Sequence, residues 1–348
     1  MKNFRAFSTR AYFGAANGFG GFRHSFDKIF SPEEFTKIFV LKGGPGTGKS
    51  SFMEKFASYF HGRAVIEAIL CSSDSDSLDG IILEKGEKRF AILDGTSPHE
   101  MGLRIPGVKD EIINLCENWN DEILHEYEKE IIELNRKKAT SYKRAYSALR
   151  VAGEAEAVLS DIAKSRFDDS AAAKNASIII SGEKSATKQN HGLLLRAFNK
   201  NGFEEIDFPS EKTLFRIGGQ RKNAALFMKA VSFEFEKRGC DVTRYFSPLD
   251  PGDIDAIETK DMLFVISDGA CDLKCDIFAN EEAYPYTDTE RAIKNAQSLA
   301  FSAATQAFSD AAGVHGEIEK IYKNAMDFNK NDRLLELIIE RTEKILKN

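Results

Sequence analysis

Eight residues, Gly43-Gly44-Pro45-Gly46-Thr47-Gly48-Lys49-Ser50, combine backbone freedom, one cation and one hydroxyl at a fixed spacing. They match the pattern G-x-x-x-x-G-K-[ST] in full. That pattern serves to hold a phosphate chain. Glycines let successive backbone N–H groups turn inward around an anion without Cβ collisions. A lysine at position 49 reaches the β- and γ-phosphates, and a hydroxyl at position 50 ligates Mg²⁺. Gly43, Gly44, Pro45, Gly46, Thr47, Gly48, Lys49, Ser50 and Ser51 are therefore the candidate cofactor-binding residues, with ATP and Mg²⁺ as the expected ligands. The plainer reading is a glycine-rich turn that only joins a strand to a helix.

Holding magnesium also takes a carboxylate at the end of a neighbouring strand. Phe90-Ala91-Ile92-Leu93-Asp94 offers four apolar residues and then an acid, so Asp94 joins Ser50 as a candidate metal ligand and Lys49 as a candidate catalytic residue. A turn aspartate in Asp94-Gly95 is the alternative. Gly95 stands where dedicated ATPases often place a glutamate, so rapid hydrolysis is not expected. A water-orienting acid is sought in Asp74 or Asp76, within Cys71-Ser72-Ser73-Asp74-Ser75-Asp76-Ser77-Leu78-Asp79-Gly80, or in Glu100, after Thr96-Ser97-Pro98-His99. Segments after the carboxyl ends of strands gather at the ligand crevice of an open sheet. His99 is either a sensor or a structural histidine.

The elements that must position these groups are visible on either side. Ile38–Leu41 is an apolar run suited to a buried parallel strand. After the glycines, Phe52, Met53, Phe56 and Phe60 recur at helical spacing. A second apolar stretch, Ala64–Leu70, and a spacing of about 45 residues from Lys49 to Asp94 leave room for a further strand–helix unit. From Lys109 to Ala173 the chain is rich in Glu, Lys, Ala and Leu, with Ile123, Leu124, Tyr127, Ile131 and Leu134 on one face. It reads as a helical hairpin projecting from the core, with Asp168–Ala173 a tip or boundary, and Thr287–Leu346 is a matching stretch.

The chain also echoes itself. Gly43-Gly44 and Phe52-Met53 align without a gap on Gly218-Gly219 and Phe227-Met228. Asn17-Gly18-Phe19 returns as Asn201-Gly202-Phe203, Ser77–Ile81 as Asp253–Ile257, Phe90–Gly95 as Leu263–Gly269, and Ala145-Tyr146-Ser147 as Ala307-Phe308-Ser309. In the second copy Ala224 and Ala225 stand where Lys49 and Ser50 would be, so its site is dead. Arg221 and Lys222 there form a solvated basic turn, hold an anion, or reach the first site as an arginine finger. The expected organisation is an active domain over 1–190, with its helical arm over about 109–173, and a degenerate domain over 191–348 with a helical C-terminus. The expected fold class is α/β: a P-loop NTPase fold with a parallel sheet and flanking helices, tandemly duplicated, with helical hairpin insertions.

Composition sets the outer bounds. The chain has 348 residues, a formal net charge of −6 and a pI near 5.7. An acidic chain argues against a general affinity for nucleic acid or anionic membrane. Five cysteines, at 71, 116, 240, 271 and 275, make no disulfide framework, and Cys271-x-x-x-Cys275 lacks a second ligand pair. No apolar run approaches the ~18 residues of a membrane span. Nor does the N-terminal segment read as a secretion signal. A cytoplasmic protein is expected.

Taken together, Lys42–Ser50, Cys71–Gly80 and Asp94-Gly95-Thr96-Ser97-Pro98-His99 resemble a family of bacterial tandem P-loop proteins described only as ATPases or ATP-binding proteins. The resemblance runs over nearly the whole chain, and the Asp-Gly-Thr-x-Pro-His run is its distinctive part. It implies an ATP site and says little about a substrate. The family's second half often keeps its own P-loop, and this chain departs there. The expected function is a Mg²⁺-dependent, slowly hydrolysing ATPase. A small-molecule or nucleoside kinase, with Arg144, Arg150 and Arg166 as lid arginines, is one alternative. A non-hydrolysing interaction module with a protein partner on its helical arms is the other.

Overall fold

A computed structural model describes residues 7–180, 192–206, 212–266, 276–278 and 286–347. The first part of the chain runs β1 (Arg10–Phe13), β2 (Ala15–Gly18), β3 (Gly21–His24), α1 (Phe26–Ile29), β4 (Lys37–Lys42), α2 (Lys49–Phe60), β5 (Val65–Leu70), β6 (Leu78–Lys85), β7 (Lys88–Asp94), β8 (Asp110–Asn114), α3 (Asp121–Glu126), α4 (Glu128–Arg166) and α5 (Asp169–Ile179). The second runs β9 (Arg196–Asn199), β10 (Gly202–Glu205), β11 (Thr213–Gly218), α6 (Arg221–Lys237), β12 (Thr243–Phe246), β13 (Ile254–Glu258), β14 (Met262–Ile266), β15 (Asp276–Phe278), α7 (Asp288–Ala325) and α8 (Phe328–Lys347).

The fold is mixed α/β. In the first sheet the order is β1-β5-β6-β7-β4-β8. β4 pairs in parallel with β7 and β8, as a buried Ile-Phe-Val-Leu run requires. β6, however, runs antiparallel to both β5 and β7. The expected parallel sheet holds for the pairs β1–β5, β4–β7 and β4–β8 and is corrected at β6, and no helix intervenes between β5 and β7. The cause is local. Gly86 takes φ +62° and closes a two-residue hairpin between Lys85 and Lys88. A strand–helix crossover is not needed where a glycine turn returns the chain directly. Residues 110–114, expected to be helical, form the parallel edge strand β8.

The second sheet has the order β12-β13-β14-β11-β15. Its pairing senses, two antiparallel and then two parallel, repeat those of β5-β6-β7-β4-β8 strand for strand. Phe52-Met53 and Phe227-Met228 lie buried on α2 and α6, the corresponding helices. The echo of Asn17 shifts, because Asn201 sits in the turn before β10. The buried asparagine of that second hairpin is Asn199, which ends β9 opposite Gly202, where the first hairpin has Gly18 opposite Gly21. Of Leu263–Gly269, residues 267–269 lie outside the described residues, as do Cys271 and Cys275.

The two sheets pack back to back. Ile38, Val40, Ala91 and Leu93 of the first share one buried cluster with Tyr245, Ala256 and Leu263 of the second. The outer face of the first sheet carries α2 and α8, and that of the second carries α5 and α6. So the helices do not respect the linear division at 190. α5 follows the first sheet in sequence but buries Ala172 and Ala176 against α6. α8 ends the second half but buries Leu335 and Ile338 among Phe52, Phe56 and Phe39 of the first. The expected hairpin over 109–173 is corrected in the same way. α4 is one 39-residue helix whose partner is α7, running antiparallel. Leu134 meets Ile318 and Ile321 near one end, and Arg166 meets Glu290 at 2.8 Å near the other. The echoed segments face each other where these helices cross, with the Tyr146 and Phe308 rings edge-on at 5.6 Å. Among the described residues no helix is long and apolar enough to cross a membrane.

Candidate functional site

Gly43–Gly48 form the loop between β4 and α2, and Lys49, Ser50 and Ser51 form the first turn of α2, in the place the sequence pattern requires. Gly46 and Gly48 take φ +73° and +88°, values at which a side chain is strained. Gly48 is the N-cap of α2, and no side chain caps that helix. Thr47 Oγ1 donates to Gly44 O at 2.9 Å and tightens the turn. Lys49 folds back over the loop. Its ammonium donates to Gly43 O at 2.7 Å and Gly44 O at 3.0 Å and stands 3.6 Å from Asp94 Oδ2. Ser50 Oγ accepts from the backbone N–H of Leu78 at 3.1 Å.

Strand pairing brings Asp94 to this place. Leu41 is opposite Asp94 in the parallel β4–β7 register, so the acid lies beside the start of the loop. Asp94 Oδ1 accepts from Thr96 N at 2.8 Å, and Thr96 Oγ1 donates to Gly43 O at 2.9 Å. These bonds fix one carboxylate oxygen and leave the other toward Lys49. A side chain at Gly95 would collide with Val40 of β4, which is the physical reason no glutamate follows Asp94.

Two residues that sequence reasoning did not select complete the floor. Gly80 pairs with Leu93 in the antiparallel β6–β7 ladder, so Asp79 sits across from Asp94. Asp79 is 4% exposed, its Oδ2 accepts no hydrogen bond, and it faces His99 Nε2 at 3.4 Å. Burial pushes its carboxyl above the usual range, the His99 charge opposes that, and Asp94 adds to it. The signal was present in the singled-out segment, but only the antiparallel register says which of its acids points inward. The second such residue is Cys116, whose sulfur accepts from the backbone N–H of Gly44.

The other predicted acids lie further out. Asp74 Oδ1 meets Lys200 Nζ at 3.2 Å, in the β9–β10 turn. Asp76 is half-buried and close enough to Glu204 to act on its charge. Glu100 is exposed. The candidate lid arginines do not converge on the loop. Arg144 is exposed, Arg150 donates to Ser147, and Arg166 is engaged by Glu290. Arg221 and Lys222 are not a finger either. Arg221 pairs with Asp255 at 2.7 Å, and Lys222 with Asp253 at 2.6 Å and Glu156 at 3.1 Å. α6 begins at Arg221, well before the position aligned with Lys49, so helix replaces the glycine loop in the second half.

A roof from the second half covers the loop. A Cβ on Gly46 would lie 2.6 Å from the backbone oxygen of Glu319, and one on Gly48 3.2 Å from the Phe328 ring. Asn331 of α8 donates to Thr47 O at 2.9 Å and accepts from Asn118 at 2.8 Å. His315 of α7 is near enough to Lys49 and Asp74 to sense both charges. Burial holds its imidazole below the ordinary value, Lys138 of α4 and Lys49 add to this, and Glu319 and Asp74 oppose it. Tyr142 of α4 bonds to Ser73.

Comparison with protein-family models, with curated proteins and with solved structures finds no match for this chain.

Proposed function

We propose that the chain binds a nucleoside triphosphate, ATP by expectation, at Gly43–Ser51 and hydrolyses it slowly. The observation that carries this reading is the pairing of Lys49 with both the loop carbonyls and Asp94 across a loop with two left-handed glycines. A lysine in that position can exchange carbonyl partners for phosphate oxygens without moving its backbone. The oxygen donors present, Ser50 hydroxyl and Asp94 carboxylate, suit Mg²⁺, which prefers hard oxygen ligands. Ser50 and Asp94 would hold that ion, and when bound it would neutralise charge on the phosphates. The chain's own part is positioning: loop N–H groups and Lys49 orient the phosphates, and the roof of α7 and α8 limits water. The matched strand order of the two sheets supports a tandem duplication whose second copy has lost the loop. The resemblance to the bacterial tandem P-loop family agrees with this reading.

Calorimetry with Mg²⁺ and ATP on wild type and Lys49→Ala, with phosphate release followed in the same samples, is the test. One wild-type site, lost in the variant, with slow phosphate release is expected. Binding without release favours a nucleotide-gated module, and release that rises only with an added hydroxyl compound favours a kinase. A wild type that binds no nucleotide overturns the reading.

A further inference from the structure

Three donors of different chemistry meet at the strand ends, beside the residues assigned to the nucleotide. Cys71 follows β5, Asp79 lies near the start of β6 and His99 follows β7. One sulfur, one carboxylate oxygen and one imidazole nitrogen from them all lie within 4.8 Å of one another. Asp79 Oδ2 and His99 Nε2 are 3.4 Å apart. Two ligands bound at about 2.0–2.2 Å to one tetrahedral ion stand roughly that far from each other.

Each donor is held in place. The His99 ring, 7% exposed, is stacked on Phe26 at 5.0 Å and tilted against Phe22 at 5.3 Å, which fixes the direction of Nε2. Burial and the neighbouring Asp79 push the Cys71 thiol well above its ordinary value, and the backbone N–H groups of Ser73 and Asp74 only partly oppose this, so a thiolate there calls for a cation beside it. The Asp79 carboxylate takes a hydrogen bond from the Cys71 thiol, while its Oδ2 is buried, lies 3.4 Å from His99 Nε2 and has no hydrogen bond of its own. A buried carboxylate in that condition is costly unless a cation or donor satisfies it.

We propose that Cys71, Asp79 and His99 form a three-ligand site for Zn²⁺ or a chemically similar divalent ion, separate from the magnesium ligands Ser50 and Asp94. One thiolate and one carboxylate balance the ion's two charges, and a neutral imidazole completes the set. A thiolate selects against Mg²⁺ and for a softer ion. Three protein ligands leave a fourth position open. The bound ion would lock the loop 71–77 to the strand ends beside Asp94. The proposal does not depend on nucleotide binding.

The full chain titrated with Co²⁺ tests it, since a cobalt–thiolate bond gives a charge-transfer band in the near ultraviolet. One ion per chain with that band, displaced by Zn²⁺, is expected. The band should be lost in Cys71→Ser and kept in Lys49→Ala and Cys116→Ser. In the wild-type protein, Zn²⁺ should also abolish alkylation of Cys71, mapped by mass spectrometry, while leaving Cys240 reactive. That second readout does not depend on how the variant folds. A wild type without the band, a band that survives in Cys71→Ser through Cys271 or Cys275, or alkylation of Cys71 that Zn²⁺ does not change, each overturns the proposal.

Discussion

Asp94 and His315 pose separate questions at the residue scale. Asp94 has one oxygen tied to Thr96 N and the other toward Lys49. Asp94→Asn keeps the shape and removes the charge. ATP should still bind to the loop, while phosphate release falls by roughly 10²-fold, the size of effect seen when one preorganised charge is lost. Equal rates in variant and wild type would remove Asp94 from the site. His315 has its imidazole held below the ordinary value, mainly by burial. A lowered histidine contributes stability that is present above the unfolded value of about 6.5 and lost as pH falls through the folded one. His315→Gln should therefore lose less stability than wild type between neutral pH and about pH 5.5, read as the change in Tm. Parallel losses in the two proteins would contradict that sign. That Lys49 and Asp94 meet was legible from spacing, because the motif and the strand before the acid are local signals. Asp79 was not, because which acid in a Ser/Asp-rich turn faces inward depends on the antiparallel register of β6 and β7.

At the scale of elements, β4, α2 and β7 could be placed within a residue or two from apolar runs and helical spacing. The hairpin sense of β6 was written in Gly86 but was read as a crossover. The exchange of α5 and α8 left no local trace, since a helix's apolar stripe says that it packs and not upon what. The contact of α7 and α8 with the loop makes two predictions. Gly46→Ala puts a methyl against Glu319 O at a φ that alanine avoids, so α7 must shift. Weaker nucleotide binding and a lower Tm are expected, and an unchanged Tm would show that the roof does not bear on the loop. Asn331→Ala strands the buried Thr47 carbonyl and the Asn118 amide. A loss of about 1–3 kcal/mol in urea unfolding is expected, the cost of leaving buried polar groups unpaired.

On the scale of the whole molecule, two similar sheets share an apolar interface and trade their terminal helices. Neither half keeps a complete core if separated at residue 190. Unfolding by heat should therefore be one transition and not two, with calorimetric and van't Hoff enthalpies in agreement. ATP at 100 times its dissociation constant should raise the stability of the entire chain by about 2.7 kcal/mol, not of one half alone. Two separable transitions, only one of them moved by ATP, would contradict this. The exchange of α8 also bears on how the protein is born. Leu335 and Ile338 fill the core formed by β4, α2 and β7, yet the ribosome delivers them only after α4 to α7. Roughly two hundred residues are made between β8 and α8, which at ~5–20 residues per second leaves that core uncovered for on the order of 10–40 s. Translation speed through α4 to α7 thus sets how long the first sheet waits for the helix that covers it.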